Sequence, residues 1–174
     1  MTKKLLTPKY ITPEICKKAV QAAFSLTMIE GGALYDYMKR HHGHTIVLVP
    51  AITDDRERDY PDYPHYPIEP YLLYEESFGD KSNWEHPYDE VVKCKGLQVW
   101  HDRSDGKSIT PHLLYPGDTP YPGGVKREGI VVAYSGVQEH FDRMIAAIIA
   151  DIIISLAKHA MLNDPEATRG DFLP

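Results

Sequence analysis

The chain has 174 residues, 43% of them hydrophobic, which suffices for one compact core and is short for two. Its 25 Asp and Glu against 19 Lys and Arg leave a net charge of -6, so no basic field draws a nucleic acid or an anionic membrane surface. Lys3-Lys4 is followed by Leu5-Leu6 and then at once by Thr7-Pro8, not by the apolar run of a secretory leader, and the sequence reads as one cytoplasmic domain over 1–174.

Thr12-Pro13-Glu14 supplies a cap, a first-turn proline and an acid at the positive end of a helix dipole. Ile15, Ala19, Ala22, Leu26 and Ile29 follow at helical spacing until Gly31-Gly32. Residues 33–40 read as a further helical piece closed by Gly43, and Thr45 to Ile52, rich in Ile and Val, as a buried strand. Over about 53–70 the composition turns to charge and then to repeated Tyr-Pro, which predicts an inserted arm or loop, because each proline removes a donor and biases its predecessor to extended backbone. Tyr71 to Tyr74 reads as a return to strand, Trp84 to Lys95 as a helix stopped by Gly96, and Leu97–Trp100 and Lys107–Tyr115 as short extended pieces.

Tyr121-Pro122-Gly123-Gly124 then makes a tight loop, and Ile130 to Tyr134 a buried strand that Ser135-Gly136 turns directly into a helix from about Val137 to Leu162. That helix is apolar on more than one side, through Phe141, Met144-Ile145, Ile148-Ile149, Ile152-Ile153 and Leu156, which suits packing under a sheet and against another subunit. From Met144 to Ala160 it carries Asp151, Lys158 and His159 and reads as too short an apolar run for a membrane span. A polar tail covers about 163–174.

Cys16 and Cys94 form no C-x-x-C pair and read as reduced, Cys16 as a small buried residue and Cys94, between Lys93 and Lys95, as the better thiolate. Nine histidines include His42 and His44, two apart and so on one side of a strand, but no third ligand stands at a telling interval and no metal site is expected. A strand that ends on free backbone N–H groups at a helix start is a place to hold a small polar ligand, which singles out Gly123, Gly124, Tyr134, Ser135 and Gly136 as binding residues. His101 joins them as a further binding candidate. His140, early in the last helix, suits an axial heme ligand or a general acid or base, with Tyr115 and His112 as partners if the chain is an enzyme. A Ser135-His140-Asp142 triad is discounted, because the sequence lacks a nucleophile elbow.

The first helix with the Gly43 to Val49 strand, and above all Pro122-Gly123-Gly124-Val125, Gly129 to Gly136 and then Asp142, resemble the GlcG/HbpS-like family, a heme-binding or heme-degrading type of domain of largely unknown function. The resemblance covers about two-thirds of the chain; the Tyr-Pro arm and His41 to His44 depart from it. It implies a single α/β domain of the α+β kind, with a central antiparallel sheet of about five strands packed by N- and C-terminal helices, and a homo-oligomer. The expectation is therefore a small-molecule-binding protein, with heme or another flat aromatic ligand between the Gly-Gly loop, the Ser135-Gly136 entry and the tyrosine-rich arm. The alternative is a cofactor-independent isomerase, lyase or hydrolase using His and Tyr on a small aromatic or carboxylated metabolite.

Overall fold

The computed structural model describes residues 4–53 and 68–174, and residues 54–67 of the Tyr-Pro arm lie outside them. Strand β1 is Leu5–Leu6, helix α1 Pro13–Thr27, β2 Gly43–Thr53, β3 Glu69–Phe78, α2 Tyr88–Trp100, β4 Gly124–Arg127, β5 Ile130–Ser135 and α3 Glu139–Leu162. These strands form one five-stranded antiparallel sheet: β2 lies between β3 and β5, β4 pairs with β5, and β1 pairs with the far end of β2. The α+β architecture is the expected one.

Strand alternation sends Val47, Val49, Val132 and Tyr134 to one face, where they join Ala19, Phe24, Ile145 and Ile149 from α1 and α3. Ile46, Leu48, Val131 and Ala133 face the other way, onto Val92 and Val99 of α2. The sheet is thus covered on both sides, and β2 and β5 read as continuous apolar runs for that reason.

Helix α1 starts where the sequence places it, with the Thr12 side chain accepting the Ile15 N–H at 3.3 Å. Its buried face is Cys16, Ala19, Val20, Ala23, Phe24 and Thr27, rotated from the expected stripe, and Leu26 and Ile29 are exposed. The Phe24 ring sets the rotation, meeting Phe78 and Tyr134 edge-on at 5.1 and 6.1 Å. Residues 33–40 hold only a single 3-10 turn at Tyr35–Tyr37. Strand β3 begins at Glu69, so the insertion is shorter than 53–70, and it runs on past Tyr74 to Phe78.

Helix α2 corrects the sequence reading most. Gly96 does not end it, and Leu97–Trp100 is helix rather than strand. A Cβ at Gly96 would stand 2.6 Å from Ile46 Cδ1, so the glycine marks where the helix presses on the sheet. Residues 107–115 are loop around a 3-10 turn at Pro111–Leu113. By length and composition α3 is long and apolar enough to cross a bilayer, contrary to the sequence estimate, yet Ile145, Ile149 and Ile153 are buried in the core. The polar tail folds back, with Asp164 accepting the Tyr10 hydroxyl at 2.8 Å and pairing Lys9 at 3.4 Å.

Candidate functional site

Strand β5 ends on two residues that point opposite ways. Tyr134 is fully buried in the α1/α3 core, its hydroxyl donating to the His42 carbonyl at 3.0 Å, whereas Ser135 faces the α2 side. Gly136 then turns the chain at φ +151°, where any Cβ would strike the His42 carbonyl oxygen. Beside this junction lies a hollow of about 340 Å³, lined by Ser135, Gly136 and the start of α3 on one side and by His86, Tyr88 and Lys95 on the other.

Its floor is a buried ion pair linking the two helical layers at the end of the sheet. Lys95 Nζ of α2 donates to Asp142 Oδ2 of α3 at 2.8 Å and to the Tyr134 carbonyl at 3.1 Å, and Asp142 Oδ1 accepts the Val137 N–H at 2.9 Å. The side chains are 2% and 5% exposed. Burial pushes the Asp142 carboxyl above its ordinary range, against the opposing pull of Lys95. Gly123 makes room for the pair: at φ +142° a Cβ there would sit 2.9 Å from both Asp142 Cβ and Lys95 Nζ.

The α2 wall is aromatic. The Tyr88 ring stands 5.5 Å from His42, 5.5 Å from Trp84 and 6.0 Å from His86. Tyr88 Oη, His42 Nε2 and Trp84 Nε1 are all buried and have no hydrogen-bond partner among the described residues. Three such atoms in one cluster are uncommon in a folded protein. Burial raises the Tyr88 phenol, which keeps its proton, and burial with Arg40 nearby lowers His42, which favours the neutral imidazole. Arg40 closes one edge, donating to the Val137 carbonyl at 3.2 Å and pairing Glu85 at 3.4 Å.

Of the residues singled out by sequence, Ser135 and Gly136 line the hollow, Gly123 packs behind its floor, and Gly124 is buried at the start of β4. Tyr134 supplies its carbonyl only. The proposed catalytic trio is not assembled there. His140 is exposed with its ring against Phe141 at 4.4 Å, His112 is exposed on its 3-10 turn, and Tyr115 is 68% exposed over Arg103. His101 is exposed at the C-cap of α2. The discounted triad does not form either, since Asp142 is engaged by Lys95. The residues that sequence reasoning missed are Tyr88, Lys95, His86 and Arg40. Tyr88, Val92, Lys95 and Val99 recur at spacings of four, three and four, so a lysine set in an apolar helical stripe was the available signal.

His44 extends the aromatic wall, its ring edge-on to Trp84 at 6.4 Å, and holds a polar cluster across β2 and β3. Its Nδ1 meets Ser77 Oγ at 2.7 Å and its Nε2 meets Glu75 Oε2 at 3.0 Å, with Lys93 3.4 Å from the same carboxylate. His44 and then Lys93 hold the Glu75 carboxyl below its ordinary range. Among the described residues no three His, Cys, Asp or Glu side chains gather to hold a metal ion.

No family model, no curated protein and no solved structure matches the chain. The likeness to the GlcG/HbpS-like family therefore rests on its motifs. The volume of the hollow lies at the low end of the roughly 300–1,000 Å³ of small-molecule sites, and the lining imidazole is His86, not His140.

Proposed function

We propose that this chain is a cytoplasmic, self-associating small-molecule-binding protein of the GlcG/HbpS type, which takes a flat ligand of one or two rings in the hollow beside Ser135-Gly136. The observation that carries the reading is the hollow itself, about 340 Å³ at the strand-to-helix junction, where Tyr88 and Tyr121 stand opposite Ser135 and the start of α3. The apolar parts of Val91, Val137 and Tyr121 suit the faces of a ring.

The test is a screen of one- and two-ring compounds by amide chemical shifts. Binders should move the amides of 135–139 saturably, and a screen in which none does so rejects the reading. Hemin is the counter-probe: no Soret change saturating at one per chain is expected, and such a change would overturn the size argument. Self-association draws support from the half-exposed flank of α3 at Met144, Ile148 and Ile152 and from exposed Leu26 and Ile29 on α1. Light scattering should give a mass above the 19.8 kDa of one chain, and a monomer mass removes that part.

The enzyme alternative keeps one specific support, a buried carboxyl raised in its range beside a lysine and a phenol at the same hollow. Its acid-base groups would be Tyr88, His86 and Lys95 in place of His140, Tyr115 and His112. Turnover of a bound compound that Tyr88→Phe abolishes without loss of binding would establish it, and unchanged turnover in that variant would end it.

A further inference from the structure

Resting on the self-association read above, we infer that α3 packs against α3 of a second copy of this chain, antiparallel across a two-fold axis at Ala147, with Arg143 of each copy paired to Asp151 of the other. Only 28% of the most apolar stretch of α3 is buried within the chain, so most of that stretch is left for something else to cover. At about 3.6 residues per turn, Ala147 lies almost opposite the fully buried Ile149, on the outward side of the helix. Met144, Ala147 and Ile154 on that side are only partly buried. The small side chain of Ala147 at their centre allows two helices to approach closely there.

Charge selects the occupant and its direction. Arg143 and Asp151 stand about one turn to either side of Ala147. The Arg143 Nε is buried without a hydrogen-bond partner, and its guanidinium pairs with no carboxylate among the described residues. The Asp151 side chain is 65% exposed, and its ion pair with half-exposed Arg127 is long, at 3.6 Å, which leaves the carboxylate room for a second cation. A bilayer is a poor occupant, because Asp151 would enter it. A second copy supplies what each charge lacks. A two-fold at Ala147 brings residues equally far before and after it to one level, so the pair of Arg143 with the partner's Asp151 forms twice. Glu139 then stands level with the partner's Ser155 and Lys158 with the partner's Gly136, and no like charges meet. Parallel helices would set Arg143 beside Arg143 and Asp151 beside Asp151. An axis one turn earlier or later would face one of those residues to its own copy, so the antiparallel arrangement at Ala147 is the one that the charges permit.

Sedimentation of the full chain and two charge reversals tests the pairing. Arg143→Glu sets an acid against Asp151, and Asp151→Arg sets an arginine against Arg143, so each variant alone should raise the dimer dissociation constant at least about tenfold. An equimolar mixture of the two variants should regain the dimer, because the introduced acid then faces the introduced arginine and the original pair forms at the other end of the seam. Single variants that associate as tightly as the unaltered protein, or a mixture no tighter than its components, overturn the α3 pairing and leave self-association standing. A monomer mass for the unaltered protein overturns both. Should either reversal fail to fold, Ala147→Cys in a Cys94→Ser background decides: a mild oxidant should join two copies through the thiols at the axis, and a chain that stays single on a non-reducing denaturing gel overturns the pairing.

Discussion

Replacing Lys95 with methionine keeps the length of the side chain and removes the charge that compensates Asp142. Both groups are almost wholly buried, and the carboxylate would keep only the Val137 N–H. Breaking a buried pair from one side costs about 3–5 kcal/mol, a large part of the roughly 5–15 kcal/mol that holds a domain together. At roughly 2–4 °C per kcal/mol for a chain of this size, Lys95→Met should melt about 6–20 °C below the unaltered protein. The double variant Lys95→Met/Asp142→Asn should recover at least about 2 kcal/mol of that loss, because the neutral amide still accepts the Val137 N–H and leaves no bare charge. The deficit also has a pH signature. A carboxyl whose folded pKa is raised favours the folded state most at low pH and loses that contribution as pH rises through the folded pKa, and removing Lys95 raises the folded value further. The Lys95→Met deficit should therefore shrink on acidification. Urea unfolding of the three proteins at two pH values measures all of this. A single-variant cost below about 1 kcal/mol, or a double variant no more stable than the single, would refute the account of the pair as a mutually compensated buried charge.

A thiol reagent on the native protein should label Cys94 and spare Cys16, whose thiol burial pushes up to about 12, and both should label after unfolding; native labelling of Cys16 would contradict its place in the core. Ile149→Ala, at a fully buried position under the sheet, should cost about 2–5 kcal/mol in denaturant unfolding, and a cost near zero would argue against the packing of α3 described above. The Glu75 carboxyl is held low by His44 and Lys93, so it contributes stability above the unfolded carboxyl range that is lost as pH falls through its folded value. The stability gap between the unaltered protein and Glu75→Gln should accordingly narrow as pH falls below the ordinary glutamate range of about 4.3, and a gap independent of pH would contradict the cross-strand contact.

The parts legible in the sequence are those in which local chemistry and burial agree. Thr12-Pro13 starts α1 because cap and proline act on the nearest turn, and the β-branched runs of β2 and β5 mark strands covered on both faces. The hollow beside Ser135-Gly136 was legible for the same reason, since a strand turning at once into a helix leaves a gap at the end of the sheet. Residues with two meanings were misread. Gly96 looks like a helix stop, and only the nearness of Ile46, fifty positions earlier, makes it a point of close approach. The rotation of α1 depends on the rings of Phe78 and Tyr134, which both meet Phe24 across the core. β3 was cut short because Glu75, Glu76 and Ser77 are polar, and they are tolerated there because β3 pairs only with β2 among the described strands. Lys95 and Asp142 lie forty-seven positions apart on opposite layers, and nothing local marks them as partners.

The bare backbone at Gly96 governs more than the course of one helix. With no side chain between it and Ile46, α2 runs nearer to the strands than any other residue would permit, and Tyr88 and Lys95 ride on that helix at fixed spacing. One added methyl group at this position would meet the tip of the Ile46 side chain at 2.6 Å, so the spacing that holds the phenol and the ammonium opposite α3 depends on how two side chains far from the mouth share the space between helix and strand.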